Sequence, residues 1–408
     1  MTFTDQITAL ELDNYVYSKE FSHYMHTSTF AKYKHIEEGC TVHYTALKDQ
    51  DRIMATAIVL EYHEPLAGSY VYIPCGICMD HLDTALFKEY SDHLIAYAKK
   101  LNAFAVYMDP NVMRNEHLLN GDIIEDGVNN EHLTAFYQSL GYTHRGYTYG
   151  YDGSKRNRYT LMLDIDRPYS EVLKGMPKSR QSYLRKASKM AIRVNNTREE
   201  IAGKLAIYAE ELSKTQNFTP HTKEYFARLF DIYGEHCYGY ECEIDLKRQL
   251  EIYQEDVEDK KYRKDPEAKA AVEKNIVKMQ EYIEMFGDRA TLGVAFYVVC
   301  NDTSYNLFNY NNKSLLSFQG TDIIHDHVIQ HMQSLGVKHY DLVGFSGLVD
   351  EKDSFYGLYK YKSSFSPTYI EHLGEFCYVL SESRFKMYKA YREGKRLARR
   401  VVQKLGVK

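Results

Sequence analysis

Gly357-Leu358-Tyr359-Lys360-Tyr361-Lys362-Ser363-Ser364-Phe365 is dense in tyrosine, and Ser366-Pro367 closes it. A Tyr-rich run with such a boundary predicts a β-strand. Alternation then sets Lys360 and Lys362 on one face and Tyr359 and Tyr361 on the other. Two ammonium groups side by side repel each other. Such a face is either an edge strand protected by lysine or a surface that meets something anionic. A second strand is expected to begin at Ile370-Glu371-His372-Leu373-Gly374-Glu375-Phe376.

Working outward, the chain repeats a pattern. Asp92-His93-Leu94-Ile95 is followed by Leu101-Asn102 and the apolar run Phe104–Met108. Asp326-His327-Val328-Ile329 is followed, with no gap, by Leu335-Gly336 and His339–Val343. Upstream stand two similar strands, Met54–Val59 and Leu292–Tyr297. Each half therefore reads strand, strand, helix, strand. This order resembles the GNAT-like fold of acyl-CoA N-acyltransferases, with Phe136–Tyr142 as its late helix-to-strand segment. No Arg/Gln-x-x-Gly-x-Gly/Ala run is present to hold a CoA pyrophosphate at a helix N-terminus.

Between the strands of the second half lies a polar segment with one apolar seam. Leu246, Leu250, Tyr253 and Val257 step by helical spacing, as do Val272, Ile276, Met279, Ile283 and Phe286. Lys264-Asp265-Pro266 breaks the two runs, and Pro266 suits the first turn of the next helix. The expectation is an antiparallel coiled-coil hairpin projecting as an arm, structural or dimer-forming. The fold class is then α/β (α+β): two tandem GNAT-like units with an inserted helical hairpin. The expected boundaries are 1–155 for the first unit, 156–241 with 288–376 for the second, and 242–287 for the arm. Residues 377–408 are expected to lie on the first unit.

The 408 residues are 44% hydrophobic and 26% charged, as in a soluble globular protein. No apolar run spans a membrane, and Met1–Gln6 lacks the pattern of a signal peptide. Seven cysteines without dense spacing suit a reducing compartment, so a cytoplasmic protein is expected. Cys75-Gly76-Ile77-Cys78 sits in a predicted loop rather than at the start of a helix, against a redox pair. No cysteine spacing points to zinc. The net charge of −5 argues against general nucleic-acid affinity, but Arg384–Lys408 carries ten Lys/Arg and one acid. That tail reads as a helix, either solvated or in contact with phosphates.

The order Gly-Leu-Tyr-Lys-Tyr-Lys, a short gap and Gly-Glu-Phe resembles the closing signature of the Fem family. These enzymes build peptidoglycan interpeptide bridges from aminoacyl-tRNA. The chain resembles the longer type with a coiled-coil arm. The resemblance implies a catalytic role for Lys362, with Tyr361 and Lys360 beside the substrate. It implies a cleft position for Asp109, in Asp109-Pro110 at a strand end. In Thr29–Lys34 it puts Lys32 on the diphosphate of the precursor. In Tyr70–Asp80 it aligns a family loop at Gly76, with Ile77 or Cys78 where Pro is usual. In Phe218–Phe226 it matches Tyr225 to a precursor-binding Tyr and places His221 where the family has Arg. A His is a weaker, pH-dependent phosphate partner, and Lys223 stands nearby. Leu307–Asn312 puts Tyr310 in the cleft, and Tyr340–Gly347 matches a strand and turn whose glycines permit close backbone approach.

The basic run Lys178, Arg180, Arg185, Lys186 and Lys189 resembles the family's basic helix. With Arg396, Arg399 and Arg400 in the tail, it is expected either to meet tRNA phosphates or to form a solvated face. The reading is an aminoacyltransferase that carries an amino acid from aminoacyl-tRNA to a stem-peptide amine. The acceptor would be a lipid-linked or nucleotide-linked peptidoglycan precursor, met in the cytoplasm or at the inner membrane face. No cofactor, metal or covalent intermediate is implied. The rivals are an acyl-CoA-dependent GNAT enzyme and a binding protein with a decayed site.

Overall fold

Each half of the sequence folds its repeated pattern as one supersecondary motif. In the computed structural model, the structure describes residues 1–404 apart from Asp152, Glu199, Asn217 and 260–264. In the last helix the side chains of 396 and 398–404 also lie outside the described set. In the first half Arg52–Glu64 and Gly68–Ile73 form a hairpin, Thr84–Lys100 is the crossover helix, and Ala103–Met108 returns parallel to Gly68–Ile73. In the second, Arg289–Cys300 and Thr303–Asn311 form the hairpin, Gly320–Ser334 crosses, and His339–Phe345 returns parallel to Thr303–Asn311. Both crossover helices leave through a residue at positive φ, Asn102 (53°) and Gly336 (78°). Glycine and asparagine tolerate that left-handed exit.

Contacts divide the chain into two units, 1–162 with 343–363 and 367–408, and 163–342 with 364–366. The first holds a seven-stranded sheet in the order Thr2–Thr4, Thr41–Asp49, Arg52–Glu64, Gly68–Ile73, Ala103–Met108, Phe376–Val379, Thr143–His144. Thr368–His372 pairs antiparallel with Met113–His117 and with Tyr159–Asp164. In the second unit Ile192–Asn196, Cys237–Asp245, Arg289–Cys300 and Thr303–Asn311 are successive antiparallel neighbours. Segment 343–363 thus groups with the first unit, although the sequence boundaries set it in the second.

The run that opened the sequence reading is not a strand. Tyr356–Ser363 is an α-helix. Leu and Lys are good helix formers and tyrosine is only moderately unfavourable, so β-propensity was overridden by packing. Tyr359 is the buried residue of this helix, and its hydroxyl donates to the Leu119 carbonyl. Residues two apart on a helix point about 200° apart. Lys360 and Lys362 therefore do not share a face.

Tyrosine, with no tryptophan available, fills both cores. In the first unit Tyr137 stacks on Phe87 at 4.4 Å and meets Phe376 edge-on at 5.0 Å. In the second, the hydroxyls of Tyr297 and Tyr340 lie 2.8 Å apart, and Asn306 donates to Tyr297 at 2.8 Å. A buried hydroxyl is tolerable only when bonded.

The polar insertion forms two helices, Leu246–Glu258 and Pro266–Phe286, that pack on each other. Every seam residue read from the sequence is buried or half-buried. Asp265 caps the second helix by accepting from Ala268 N, with Pro266 in its first turn; Lys264 lies outside the described residues. The last helix, Glu382–Lys404, sets Tyr388 against Tyr70 and Phe104, and Arg384 donates to the carbonyls of Asn102 and Ala103.

After His339–Phe345 the chain turns at Gly347 with φ 78°, where an added Cβ would lie 2.3 Å from the Tyr159 ring. Gly347→Ala combines a forbidden φ with a clash against a buried ring. It is expected to cost about 1–3 kcal/mol, read as a lower urea midpoint with unchanged m-value.

Candidate active site

Asp109 ends the strand Ala103–Met108 and is 4% exposed. Tyr72 Oη donates to its Oδ2 at 2.7 Å, and the Cys75 backbone N–H donates to its Oδ1 at 2.7 Å. Burial raises the carboxyl to about 6, opposed by the Arg156 guanidinium and these two hydrogen bonds. Asp109 thus titrates close to neutrality, where a group that both takes and yields a proton works best. Arg156 is itself held by Asn111 Oδ1 at 2.9 Å.

The loop after Gly68–Ile73 shapes this carboxylate site. Cys75 and Gly76 both take positive φ, 56° and 74°. A Cβ on Gly76 would lie 3.0 Å from Pro110 Cα, so glycine lets the loop lie against Asp109-Pro110. Histidines brace it. His26 Nε2 is 3.2 Å from the Cys75 carbonyl, and His81 bridges the Ile77 carbonyl (2.9 Å) and Tyr137 Oη (2.8 Å). Burial lowers His26 to about 3 and His81 to about 4, and it also lowers His23 and His372. Cys75 and Cys78 are buried free thiols.

Lys362 lies in the same unit, and its Nζ donates to the Gly344 carbonyl at 2.8 Å. Lys360 is exposed and Tyr361 half-buried. Gly344 is required there, since a Cβ would fall 1.9 Å from Asn157 Nδ2. Lys32 is exposed on the helix Ser28–Glu38.

In the second unit His221 stacks face to face on Tyr225 at 3.7 Å. His221 with Thr222 and Lys223 lines an open hollow of about 710 Å³. Tyr310 is 9% exposed, and burial raises its phenol to about 12. On the helix Lys178–Ala187 and just after it, Lys178, Arg185, Lys186 and Lys189 are exposed. Arg180 differs. It pairs with Asp322 at 2.9 Å, donates to Ser364 Oγ at 2.6 Å and lies over the Phe365 ring at 3.7 Å. These contacts hold Arg180 within the fold, unlike the four exposed cations. The side chains of Arg396, Arg399 and Arg400 lie outside the described residues.

Sequence reasoning passed over Tyr72, Lys155, Arg156 and Glu375. Glu375 is 8% exposed and accepts from Arg145 at 3.0 Å and from the Lys155 backbone at 3.3 Å. The run Lys155-Arg156-Asn157-Arg158, after a glycine-rich stretch, was the available signal.

Two measurements check this account. Arg180→Ala strands Asp322 in a buried place and is expected to cost about 3–5 kcal/mol, whereas Lys186→Ala moves the denaturation midpoint little. The four lowered histidines stabilise the fold fully above their unfolded value of about 6.5. That contribution is lost progressively as pH falls below about 6.5, because the unfolded chain binds the protons first, and the loss is complete only below the folded values, about 4 for His81 and about 3 for His26. Asp109 and Asp326, both raised to about 6, work in the opposite sense below that pH, but as two groups against six, since burial lowers His144 and His327 as well. The melting temperature should therefore fall steadily from pH 7 to 4.5; a rise would contradict the buried-neutral histidines.

The structure resembles the crystal structure titled FemX, with TM-score 0.79 and 18% identity over 95% of this chain and 99% of that one. The aminoacyltransferase FemB of Staphylococcus epidermidis is 25% identical over 95% of this chain and 97% of its own length. The aminoacyltransferase FemA of the same species is 22% identical over 88% and 92%. The model of the FemAB family matches residues 7–393; this chain belongs to the FemAB family.

Proposed function

We propose that the chain is an aminoacyltransferase that forms peptidoglycan interpeptide bridges. The donor is an aminoacyl-tRNA ester. The acceptor is the side-chain amine of a precursor's stem peptide, or a residue already added there. The observation that carries this reading is Asp109, a buried carboxyl tuned to about 6 at a strand end, in a chain of the FemAB family.

The chemistry follows from the groups present. The amine nitrogen lone pair attacks the ester carbonyl carbon, and the carbonyl oxygen takes up negative charge. The C–O bond to the tRNA ribose then breaks, and the ribose oxygen leaves as a hydroxyl. The neutral amine gives up one proton as the amide forms and keeps one N–H, and that proton balances the one taken up by the ribose oxygen. Asp109 accepts a proton in its carboxylate form, populated above about pH 6. Lys362 supplies a cation for the oxyanion. Its anchoring on the Gly344 carbonyl fixes its position before reaction, which is what makes such a donor effective. Lys178, Arg185, Lys186 and Lys189 would meet donor phosphates, and Lys32, His221, Tyr225 and Tyr310 the acceptor. Among the described residues no helix is long and apolar enough to cross a membrane. The donor places the reaction in the cytoplasm, with a lipid-linked acceptor reached at the inner membrane face.

The test is mass spectrometry of precursor incubated with each charged tRNA in turn. One charged tRNA should add one residue's mass; no addition with any of them would refute the reading. Lys362→Ala should lower turnover about 10²–10³-fold, while Lys360→Ala changes it far less. The rate should fall on acidification through about pH 6. Asp109→Asn should remove that limb along with about 10²–10⁴-fold of rate.

A further inference from the structure

Three tyrosines of the first unit surround an ammonium. Lys155 Nζ lies 5.1, 5.0 and 4.7 Å from the ring centroids of Tyr62, Tyr70 and Tyr72. Its hydrogen bond is a long one, 3.4 Å to Tyr70 Oη. Among the described residues no carboxylate stands within ion-pair distance of it. An aromatic ring attracts a cation through its negative face, and cages of such rings are a recognised way to hold an ammonium.

The walls and the occupant differ in kind. Tyr62 and Tyr70 are cross-strand partners in the hairpin Arg52–Glu64 and Gly68–Ile73, stacked at 5.2 Å. Tyr72 follows Tyr70 on the same sheet face. The walls are thus set by strand register. Lys155 comes from the stretch between Thr143–His144 and Tyr159–Asp164, whose described residues form no helix or strand, and the residue as a whole is exposed. Its ammonium is enclosed only because it reaches into the rings.

The cage also opens onto the chemistry. Tyr72 borders it and donates to Asp109 at 2.7 Å. Tyr62 donates to Glu38 on the helix Ser28–Glu38, which carries Lys32. We propose that the Tyr62–Tyr70–Tyr72 cage is the subsite for the acceptor's primary ammonium, and that Lys155 is a tethered stand-in that leaves when the acceptor enters. The proposal rests on the acceptor being an amine, and it names the place where that amine is received. Burial lowers the pKa of Lys155, against the pull of Glu375 and Glu38. The cage receives the acceptor as an ammonium; it must lose a proton before it attacks, and Tyr72 links the cage to Asp109, the group proposed to take that proton.

A tethered competitor weakens binding of the free ligand through its high effective concentration. Removing it should tighten binding. The probe is n-butylammonium, titrated by NMR against the full chain without tRNA. Lys155→Ala is expected to bind it at least about tenfold more tightly than the parent. Tyr62→Leu added to Lys155→Ala should reverse the gain, and Lys155→Arg should bind as weakly as the parent, because its guanidinium keeps the cage filled. Melting curves of each variant show that it is folded. Equal or weaker binding by Lys155→Ala overturns the proposal, as does tight binding by Lys155→Arg. The transfer assay separates this from the catalytic reading. Tighter butylammonium binding with no transfer from any charged tRNA leaves the subsite standing and refutes aminoacyl transfer. Transfer with butylammonium binding unchanged across the variants does the reverse.

Discussion

The burial of one carboxylate organises the first unit. Asp109 lies at the end of a parallel strand, and a carboxylate there without donors would cost several kcal/mol. The neighbouring strand supplies them through Tyr72 Oη and Cys75 N. For the Cys75 N–H to point at Asp109, the chain has to turn sharply after Ile73, and it does so through two consecutive positive-φ residues. That turn leaves carbonyls to be satisfied. The Asn111 backbone N–H reaches Cys75 O at 2.8 Å, and His26 and His81 bond the carbonyls of Cys75 and Ile77. The loop geometry, the neutral histidines and the Gly76–Pro110 contact all follow from keeping Asp109 bonded but not fully compensated. A third strong donor would push its pKa down and leave it a poor proton acceptor at neutral pH.

Tyrosine makes this arrangement possible. Its ring fills core volume while its hydroxyl reaches a polar group, so the same residue type serves the core (Tyr90 to Thr45 at 2.9 Å) and the site (Tyr72 to Asp109). A phenylalanine at 72 would keep the packing and strand one carboxylate oxygen. A tryptophan could donate, but only from a larger ring. The abundance of tyrosine is therefore continuous with the chemistry.

Much of the fold was legible because it is periodic. The tandem motif showed itself in two helices with matching Asp-His pairs and left-handed exits at Asn102 and Gly336, and the helical insertion in its 4-3-4 apolar spacing. Asp109 was legible because Asp-Pro at the end of an apolar run marks a strand terminus. The failures have physical causes too. Gly357–Phe365 has tyrosines two apart, which mimics a strand, but of the two only Tyr359 is buried, and a helix needs no more than that. Arg180 looked like one cation among five. Its burial is decided by Asp322, more than a hundred residues away, which no local pattern reports. Lys155 lies in a stretch with no period at all, and what matters about it is three rings brought together by the register of a hairpin.

The segment expected as a strand separates its two lysines by helix geometry. On a strand they would share a face, and their difference would have to come from the partner. On the helix Tyr356–Ser363 they are turned apart by its geometry. The helix is fixed by Tyr359, buried and bonded to Leu119, so rotation about its axis is not free. Lys362 must then face the Gly344 carbonyl, at the end of a strand where Asn157 leaves no room for a Cβ, and Lys360 must face outward. A lysine on a flexible stem normally loses much side-chain entropy when it meets a developing charge. One already held against a backbone carbonyl has lost part of that entropy on folding. The helix and its buried tyrosine thus do for Lys362 what the strand end and its donors do for Asp109: each fixes a charged group before any substrate arrives.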